Sequence, residues 1–220
     1  MKNVITIDGP AGSGKTTISR LLAKRIRYLY ADTGAMYRAV ALAAKRQRIH
    51  LNDGKRLGEL CSSLKLQIKT NEDPPRLLLN GEDVSLAIRS PEMDIASSKV
   101  SSVREVREAM TKLQRKMAKD MGLVAEGRDM GTVVFPDAKH KFFLTASLKV
   151  RSERRYRERL GRGEGVHKEL VESEMKKRDH QDETRHLAPL MPADDAKVID
   201  STTMTPEDVI REILSHLHCE

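Results

Sequence analysis

Near its amino terminus the chain reads Gly9-Pro10-Ala11-Gly12-Ser13-Gly14-Lys15-Thr16, a spacing of glycines, lysine and hydroxyl that suits phosphate groups. Glycines let successive backbone N–H groups turn toward one phosphate, and a helix that begins at the lysine adds its positive end. Lys15 would reach the β- and γ-phosphates of a nucleotide, and the Thr16 hydroxyl would hold Mg²⁺. The segment predicts a phosphate loop, and the alternative is an ordinary glycine turn with a surface lysine.

The elements around this loop follow the alternation expected of a parallel sheet covered by helices. Strands are predicted at residues 3–7, 28–31, 123–126, 141–144 and 197–199. Helices are predicted at residues 15–27, 35–47, 151–160, 168–178 and 206–217, and helical sequence is also predicted from 91 to 118. Because a strand precedes the loop and a helix follows it, the context favours a true phosphate loop. The predicted fold class is therefore α/β, a P-loop NTPase-type parallel sheet wrapped by helices.

Two regions interrupt this alternation. Residues 64–84 alternate apolar and polar side chains around the turn signals Pro74-Pro75 and Asn80-Gly81, which predicts a small antiparallel sheet. A glycine-rich joint at residues 160–165 predicts the tip of a short helical lid, although a plain interhelical loop explains its composition equally well. We expect one domain, with its core at about 1–60, 100–150 and 186–220, an insert at about 61–99 and a lid with flanking helices at about 151–185.

Composition narrows the class of protein. The formal charge of +8 favours anionic partners, but acidic residues are interleaved in both basic stretches, 104–119 and 151–162, so most of these side chains are expected to be solvated. Aromatic residues make up only 3%, which argues against stacking on nucleic-acid bases. The sequence contains no run of eighteen apolar residues and no His/Cys spacing typical of metal sites. We expect no secretory signal, and Cys61 and Cys219 are interpreted as free thiols in a reducing cytosol.

Further charged residues lie where predicted strands end, the edge at which open α/β sheets bind ligands. Asp32-Thr33-Gly34 opens a helix that carries Arg38, and Asp32 or Thr33 can cap that helix. Glu126-Gly127-Arg128-Asp129 follows another apolar strand and aims two opposite charges at the same cleft. A capped helix with a surface arginine and a structural ion pair are the respective alternatives.

Two more groups have the spacing of residues on a helix. Ser98 is followed by Arg104 and Arg107, and Arg178, Asp182 and Arg185 share one helical face at i, i+4 and i+7. Charged residues on one face are commonly solvated, so neither group is specific by itself.

Taken together, these motifs resemble the bacterial-type cytidylate kinases, which phosphorylate CMP and dCMP, from residue 4 to about residue 201. Matching segments are the phosphate loop and residues 32–38, 106–108, 127–138, 178–179, 189–190 and 200–202. The resemblance also identifies the antiparallel insert with the enlarged monophosphate-binding part of these kinases. Two mild departures are Glu126, where relatives often carry Asp, and Thr16-Thr17 after the lysine, where Gly-Thr or Ser-Thr is common.

The resemblance implies roles for individual residues. Cytosine would be read by Ser98, Arg107 and Asp129, the ribose held by Asp182 with Arg178 nearby, and the substrate phosphate held by Arg38, Arg128 and Arg185. Thr33 and Tyr37 are further predicted substrate contacts. ATP would bind Gly9, Pro10, Ala11, Gly12, Ser13, Gly14, Lys15, Thr16 and Thr17. Arg154, Arg157 and Arg159 are lid candidates that the sequence does not separate, with Arg157 included in the predicted ATP site.

The expected activity is direct transfer of the ATP γ-phosphoryl group to CMP or dCMP, with Lys15, Arg38, Arg128 and Arg185 as catalytic residues and Thr16 as the metal contact. The expected partners are ATP, Mg²⁺, CMP and dCMP, without nucleic acid or membrane, for a cytoplasmic monomer. Alternatives are a kinase for AMP, UMP or shikimate, a P-loop nucleic-acid-dependent ATPase, and a catalytically silent nucleotide-binding module.

Overall fold

The computed structural model describes residues 3–69, 72, 74–118 and 122–218. It divides into two compact units, Met1–Arg27 with Val124–Glu220 and, between them in sequence, Tyr28–Leu123. The predicted free thiol of Cys219 and residues 70, 71 and 73 of the predicted insert lie outside the described residues.

Strands and helices alternate as the sequence predicts. Strands are β1 (Val4–Asp8), β2 (Leu29–Asp32), β3 (Leu66–Lys69), β4 (Arg76–Leu79), β5 (Glu82–Asp83), β6 (Leu123–Gly127), β7 (His140–Thr145) and β8 (Lys197–Asp200). Helices are α1 (Lys15–Ile26), α2 (Thr33–Arg46), α3 (Gly54–Ser63), α4 (Pro91–Val100), α5 (Arg104–Met117), α6 (Leu148–Gly161), α7 (Lys168–Thr184) and α8 (Pro206–His218). Short 3₁₀ and π-helical turns lie at Ala87–Arg89 and Met130–Val134.

The first unit is built on the strands β6, β1, β7 and β8, which are neighbours in that order. β1 pairs with β7 and β7 with β8 in parallel, with Ile7 opposite Phe142. Every residue of β1 is buried, as expected for an inner strand of a parallel sheet covered on both faces. The α/β prediction is confirmed. Since these parallel strands share a direction, the residues that follow Asp8 and Thr145 leave the sheet at one edge.

The second unit packs its helices around an aliphatic core. Ala39, Val40 and Ala44 of α2 are fully buried, and Leu57, Val106 and Met110 from α3 and α5 belong to the same core. β3, β4 and β5 form the predicted antiparallel sheet, in which Leu66 lies opposite Leu79. Asn80 and Gly81 both have positive φ, which is the backbone conformation that their turn requires.

One helix is not predicted by the sequence analysis. Helix α3 begins after Asp53, whose carboxylate accepts the backbone N–H of Arg56 at 3.1 Å, and it buries Leu57, Leu60 and Cys61. Gly54 and Gly58 obscure this pattern because glycine is a poor helix former. Burial raises the pKa of the Cys61 thiol to about 11, so this cysteine is unreactive at neutral pH.

None of the helices within the described ranges combines the length and the apolar character needed to cross a bilayer.

Candidate nucleotide-binding site

The phosphate loop lies between β1 and α1 and is shaped by its glycines. Gly9, Gly12 and Gly14 all have positive φ. A Cβ at Gly9 would lie 2.0 Å from the backbone oxygen of Leu144 in β7, so only glycine allows this approach. Gly14 precedes α1 and no side chain caps that helix, so its first N–H groups are available to an anion.

Lys15 is buried and lies against its own loop. Its Nζ donates to the Pro10 carbonyl at 2.7 Å. Burial, with the nearby positive charge of Arg128, lowers the pKa of Lys15 to about 7. A nucleotide phosphate would favour the charged form of this lysine, so we expect its protonation to be linked to anion binding.

Thr16 and Glu126 place two oxygen ligands beside the loop. The Thr16 hydroxyl donates to Glu126 Oε2 at 3.1 Å, and Glu126 lies buried in β6. MgATP sites commonly combine one or two protein oxygens with water and phosphate oxygens, so this pair fits Mg²⁺. No cluster of three or more His, Cys, Asp or Glu with metal-binding geometry occurs among the residues that the structure describes.

Asp8, at the end of β1, fixes the turn that carries the Arg-Asp pair. Its two carboxylate oxygens accept the backbone N–H groups of Met130 at 2.9 Å and Gly131 at 2.8 Å. Burial raises the pKa of Asp8 to about 7, although these two hydrogen bonds act in the opposite direction. The turn therefore begins directly after Asp129, which is itself buried.

Arg128 and Asp182 form the central ion pair of the first unit. Arg128 Nε lies 2.8 Å from Asp182 Oδ2, and the Arg128 Nη1 donates to the Gly127 carbonyl at 3.2 Å. Burial would raise the pKa of Asp182, but Arg128, Arg178 and Arg185 outweigh it and the pKa lies below its usual range. The carboxylate is therefore ionised at neutral pH.

Arg185, after α7, extends this network. Its Nε donates to the Ala188 carbonyl at 2.6 Å, and its Nη atoms lie 3.9 Å from oxygens of Asp129 and Asp182. Arg178 lies close enough to perturb the pKa of both Lys15 and Asp182. The structure thus brings together the predicted first-unit residues Lys15, Arg128, Asp129, Arg178, Asp182 and Arg185.

In the second unit, Arg38 is held by a carboxylate. Its Nε and Nη2 lie 2.9 and 2.8 Å from Asp94 Oδ1, and both side chains are largely buried. Asp32 caps α2 by accepting the Ala35 N–H at 2.8 Å, which confirms the predicted cap, and pairs with Arg89 at 3.0 Å. Burial would raise the pKa of Asp32, but Arg89 and Arg38 outweigh it and lower the pKa.

Arg107 and Tyr37, two of the predicted substrate-binding residues, contact each other in this unit. The guanidinium carbon of Arg107 lies 5.9 Å from the centroid of the Tyr37 ring, within cation–π distance, and both residues are buried. Arg107 also donates to the Ser101 carbonyl at 3.0 Å. Ser98 is half-buried one turn after Asp94 on α4, and Thr33 is the buried first residue of α2.

The three lid candidates have different environments. Arg154 donates from Nη1 to the Ser13 carbonyl of the phosphate loop at 3.3 Å. Arg157 is mostly exposed, with 76% of its side chain accessible, and pairs with Glu153. Arg159 pairs with Glu164 and Glu174. In this structure only Arg154 of the three contacts the loop, whereas Arg157 lies on the outer face of α6. Thr17 is exposed on α1.

Sequence reasoning assigned no role to several residues that support these sites. They are Asp8, Arg89, Asp94, Arg151 and Ser201. Asp94 lies four residues before Ser98 on a predicted helix, and that i, i+4 spacing could have placed both on one face. No local signal identifies the others, because each acts through a contact with a distant segment.

A glycine-rich loop between a buried parallel strand and a helix, with a buried lysine beside it, defines a P-loop nucleotide-binding protein of the α/β class.

The comparisons with known proteins narrow this class. The family described as "Cytidylate kinase" matches residues 5–219. A protein named cytidylate kinase from Geobacter sp. (strain M21) is 48% identical over 94% of this chain and 89% of its own length. One of the same name from Caldicellulosiruptor bescii is 46% identical over 97% of this chain and 95% of its own. The chain belongs to the cytidylate kinase family.

A solved structure of an uncharacterized protein from Eubacterium ventriosum aligns over the full length of both chains. Its TM-score is 0.54 at 12% sequence identity. That similarity concerns the fold alone.

Proposed function

We propose that the protein transfers the γ-phosphoryl group of ATP to CMP or dCMP, producing ADP with CDP or dCDP. The observation that carries this proposal is a complete phosphate loop in a chain of the cytidylate kinase family. Each unit also carries predicted substrate-binding residues, mostly arginines and aspartates, whose charges suit a phosphate-bearing substrate.

ATP binding is assigned to the phosphate loop and the start of α1. The uncapped N–H groups after Gly14 would donate to phosphate oxygens, with the helix dipole favouring the negative charge. Lys15 would leave the Pro10 carbonyl for the β- and γ-phosphates, exchanging a neutral acceptor for charged ones. The loop thus neutralises charge on the group that is transferred.

Thr16 and Glu126 are the residues that would hold Mg²⁺. When bound, the ion neutralises phosphate charge and orients the β- and γ-phosphates. Glu126 offers the carboxylate that such sites commonly contribute, directly or through water, and its 3.1 Å contact with Thr16 keeps both oxygens together.

Base recognition is assigned to Ser98, Arg107 and Asp129. Cytosine presents an exocyclic amino donor that suits the carboxylate of Asp129, and acceptors at N3 and O2 that suit Arg107. Uracil presents a carbonyl in place of the amino group, so Asp129 would lose its partner. A buried mismatch of that kind costs roughly 1–3 kcal/mol, up to about a hundredfold in discrimination.

Ribose and phosphate are assigned to the remaining charged residues. Asp182 suits the ribose hydroxyls, with Arg178 nearby, and Arg38, Arg128 and Arg185 suit the acceptor phosphate because a guanidinium binds its oxygens in pairs. Asp182 already pairs with Arg128 at 2.8 Å, so the residue for ribose also orients an arginine for phosphate. Thr33 and Tyr37 are proposed as further contacts.

These residues suit direct in-line transfer without a covalent enzyme intermediate. Two anionic substrates repel each other, and the lysine and arginines offset that repulsion as charge spreads over the transferring group. Lid arginines, with Arg157 among the candidates, would exclude water that could otherwise accept the phosphoryl group.

The test is release of ADP from ATP and Mg²⁺ with CMP, dCMP, UMP, AMP or no acceptor in parallel reactions. We expect strong turnover with CMP and dCMP, weak turnover with UMP and none with AMP. Turnover without an acceptor, or only with another monophosphate, would reject the cytidylate assignment while retaining the phosphate loop.

We also propose that the protein acts in the cytoplasm as a monomer organised as one kinase domain, without nucleic acid. The buried thiol of Cys61 suits a reducing compartment, and acidic residues pair with Arg157 and Arg159 of the basic helix α6. Light scattering would measure the molar mass, and oligonucleotide titration at two salt concentrations would reveal any nucleic-acid binding.

A further inference from the structure

The outer side of the phosphate loop is held by residues from two later segments of the first unit. Arg151 Nη1 donates to the Ala11 carbonyl at 3.2 Å. The Ser13 carbonyl accepts from Ser201 Oγ at 3.1 Å and from Arg154 Nη1 at 3.3 Å. Two loop carbonyls are therefore bound by side chains of α6 and of the residue that follows β8.

The guanidinium of Arg151 has two further hydrogen-bond partners in the first unit. Its Nε donates to the Ala146 carbonyl at 2.8 Å, and its Nη1 lies 2.6 Å from Asp179 Oδ2 of α7. The loop also lies directly against this arginine, because a Cβ at Gly12 would be 2.7 Å from the Arg151 backbone oxygen. Arg151 therefore joins the loop to α6 and α7 as one packed unit.

Arg154 and Ser201 form a second attachment. Arg154 donates to the Ser201 carbonyl at 2.8 Å and to its Oγ at 3.1 Å, while Ser201 N donates to the Thr145 carbonyl at the end of β7. Ser201 is buried. Arg154 and Ser201 thus share one acceptor, the Ser13 carbonyl, and hold each other in place.

We propose that Arg151, Arg154 and Ser201 are positioning residues for ATP, which act through the backbone of the phosphate loop. This inference deepens the proposed function and rests on ATP as the ligand of that loop. A loop that binds an anion must turn its N–H groups inward, so its carbonyls must find partners elsewhere. The three side chains supply those partners for Ala11 and Ser13, and the two guanidinium groups add positive charge behind the loop.

This role differs from that of a lid arginine that closes over ATP. A lid residue acts by touching the nucleotide, whereas Arg154 is engaged with the carbonyls of Ser13 and Ser201. Ser201 gives the sharper distinction, because its hydroxyl donates to a loop carbonyl and accepts from Arg154, and its backbone is fixed by β7.

The first test is the variant Ser201→Ala, compared with Ser215→Ala. Ser215 lies exposed on α8 and its hydroxyl also donates to a backbone carbonyl, that of Glu212, so it controls for loss of a serine hydroxyl. The dissociation constant of ATP with Mg²⁺ is measured by calorimetry without an acceptor. We expect Ser201→Ala to weaken binding about fivefold, the size of one lost hydrogen bond, with the KM for CMP unchanged.

The second test is Arg154→Lys, with Arg211→Lys as its control on the exposed face of α8. Lysine keeps the charge but cannot reach the Ser13 and Ser201 carbonyls together, so we expect ATP binding to weaken about tenfold. Unchanged ATP affinity in both site variants, or equal increases in the KM for ATP and CMP, would overturn the inference. Because ATP affinity is measured without acceptor, failure of the wild type to phosphorylate CMP would reject the proposed function separately.

Discussion

The phosphate loop of the first unit and the arginines of the second unit, both proposed here as anion sites, are organised by different means. The loop presents backbone N–H groups whose directions are set by consecutive residues and by the glycines at positions 9, 12 and 14. In the second unit, two arginines are paired with carboxylates, Arg38 with Asp94 and Arg89 with Asp32. One region is organised by the backbone and the other by ion pairs.

We expect this difference in organisation to determine which contacts each region exchanges when phosphate binds. In the loop, Lys15 would exchange the Pro10 carbonyl for phosphate oxygens. Arg38 has two of its five N–H donors directed at a single oxygen of Asp94, so the other edge of the guanidinium can receive phosphate. Asp94 then orients the arginine, and the pair works as a unit.

Replacing Lys15 is expected to have the largest effect. Lys15→Ala removes the only side-chain charge within the loop itself, and we expect kcat to fall by about a thousandfold, as for loss of a preorganised electrostatic group. Release of ADP in the presence of CMP measures this. Lys24→Ala, an exposed lysine on the same helix, is the control. A near wild-type rate for Lys15→Ala would show that the backbone alone suffices.

Arg38→Lys tests the ion-pair region in the same way. Lysine retains the charge but cannot bind Asp94 and phosphate through a planar fork, so we expect kcat/KM for CMP to fall about a hundredfold. The KM for ATP should change little. Arg46→Lys, an exposed arginine on the same helix, is the matched control. If the KM values for ATP and CMP rise together, Arg38 does not act on the acceptor.

Asp129→Asn tests base selection rather than phosphate binding. An amide can accept from the cytosine amino group but can also donate to the carbonyl of uracil, so the preference for CMP over UMP should fall by about ten- to a hundredfold. Parallel kcat/KM measurements with the two monophosphates give the ratio. An unchanged ratio would remove Asp129 from base recognition, whatever happens to the absolute rates.

How far the sequence predicts these sites depends on the separation of the residues involved. The phosphate loop and the Asp32 cap are formed by neighbours in the chain, and both are confirmed. Asp94 pairs with Arg38 across 56 positions, and Arg154 reaches Ser13 across 141. Spacing identifies neighbours on a helix or a loop, but these pairings arise only after the segments pack.

The smallest expected effect is a proton taken up when ATP binds. Burial and Arg128 lower the pKa of Lys15 to about 7, so at pH 8 the lysine of the free protein is mostly neutral. Phosphate stabilises the charged form and raises that pKa, so ATP binding should take up close to one proton at pH 8 and weaken as pH rises further. Calorimetry in two buffers of different ionisation enthalpy measures the uptake.

Two variants assign this proton. Lys15→Arg keeps a permanent charge and should abolish most of the uptake, whereas Asp8→Asn removes the other nearby group with a pKa of about 7. Uptake that survives in Lys15→Arg and disappears in Asp8→Asn would place the proton on the carboxylate.

Without ATP, Lys15 also makes the free energy of unfolding rise with pH between about 7 and its ordinary pKa of 10.5, because the unfolded chain then binds more protons. The loop, although built from backbone, therefore remains sensitive to pH through its single lysine.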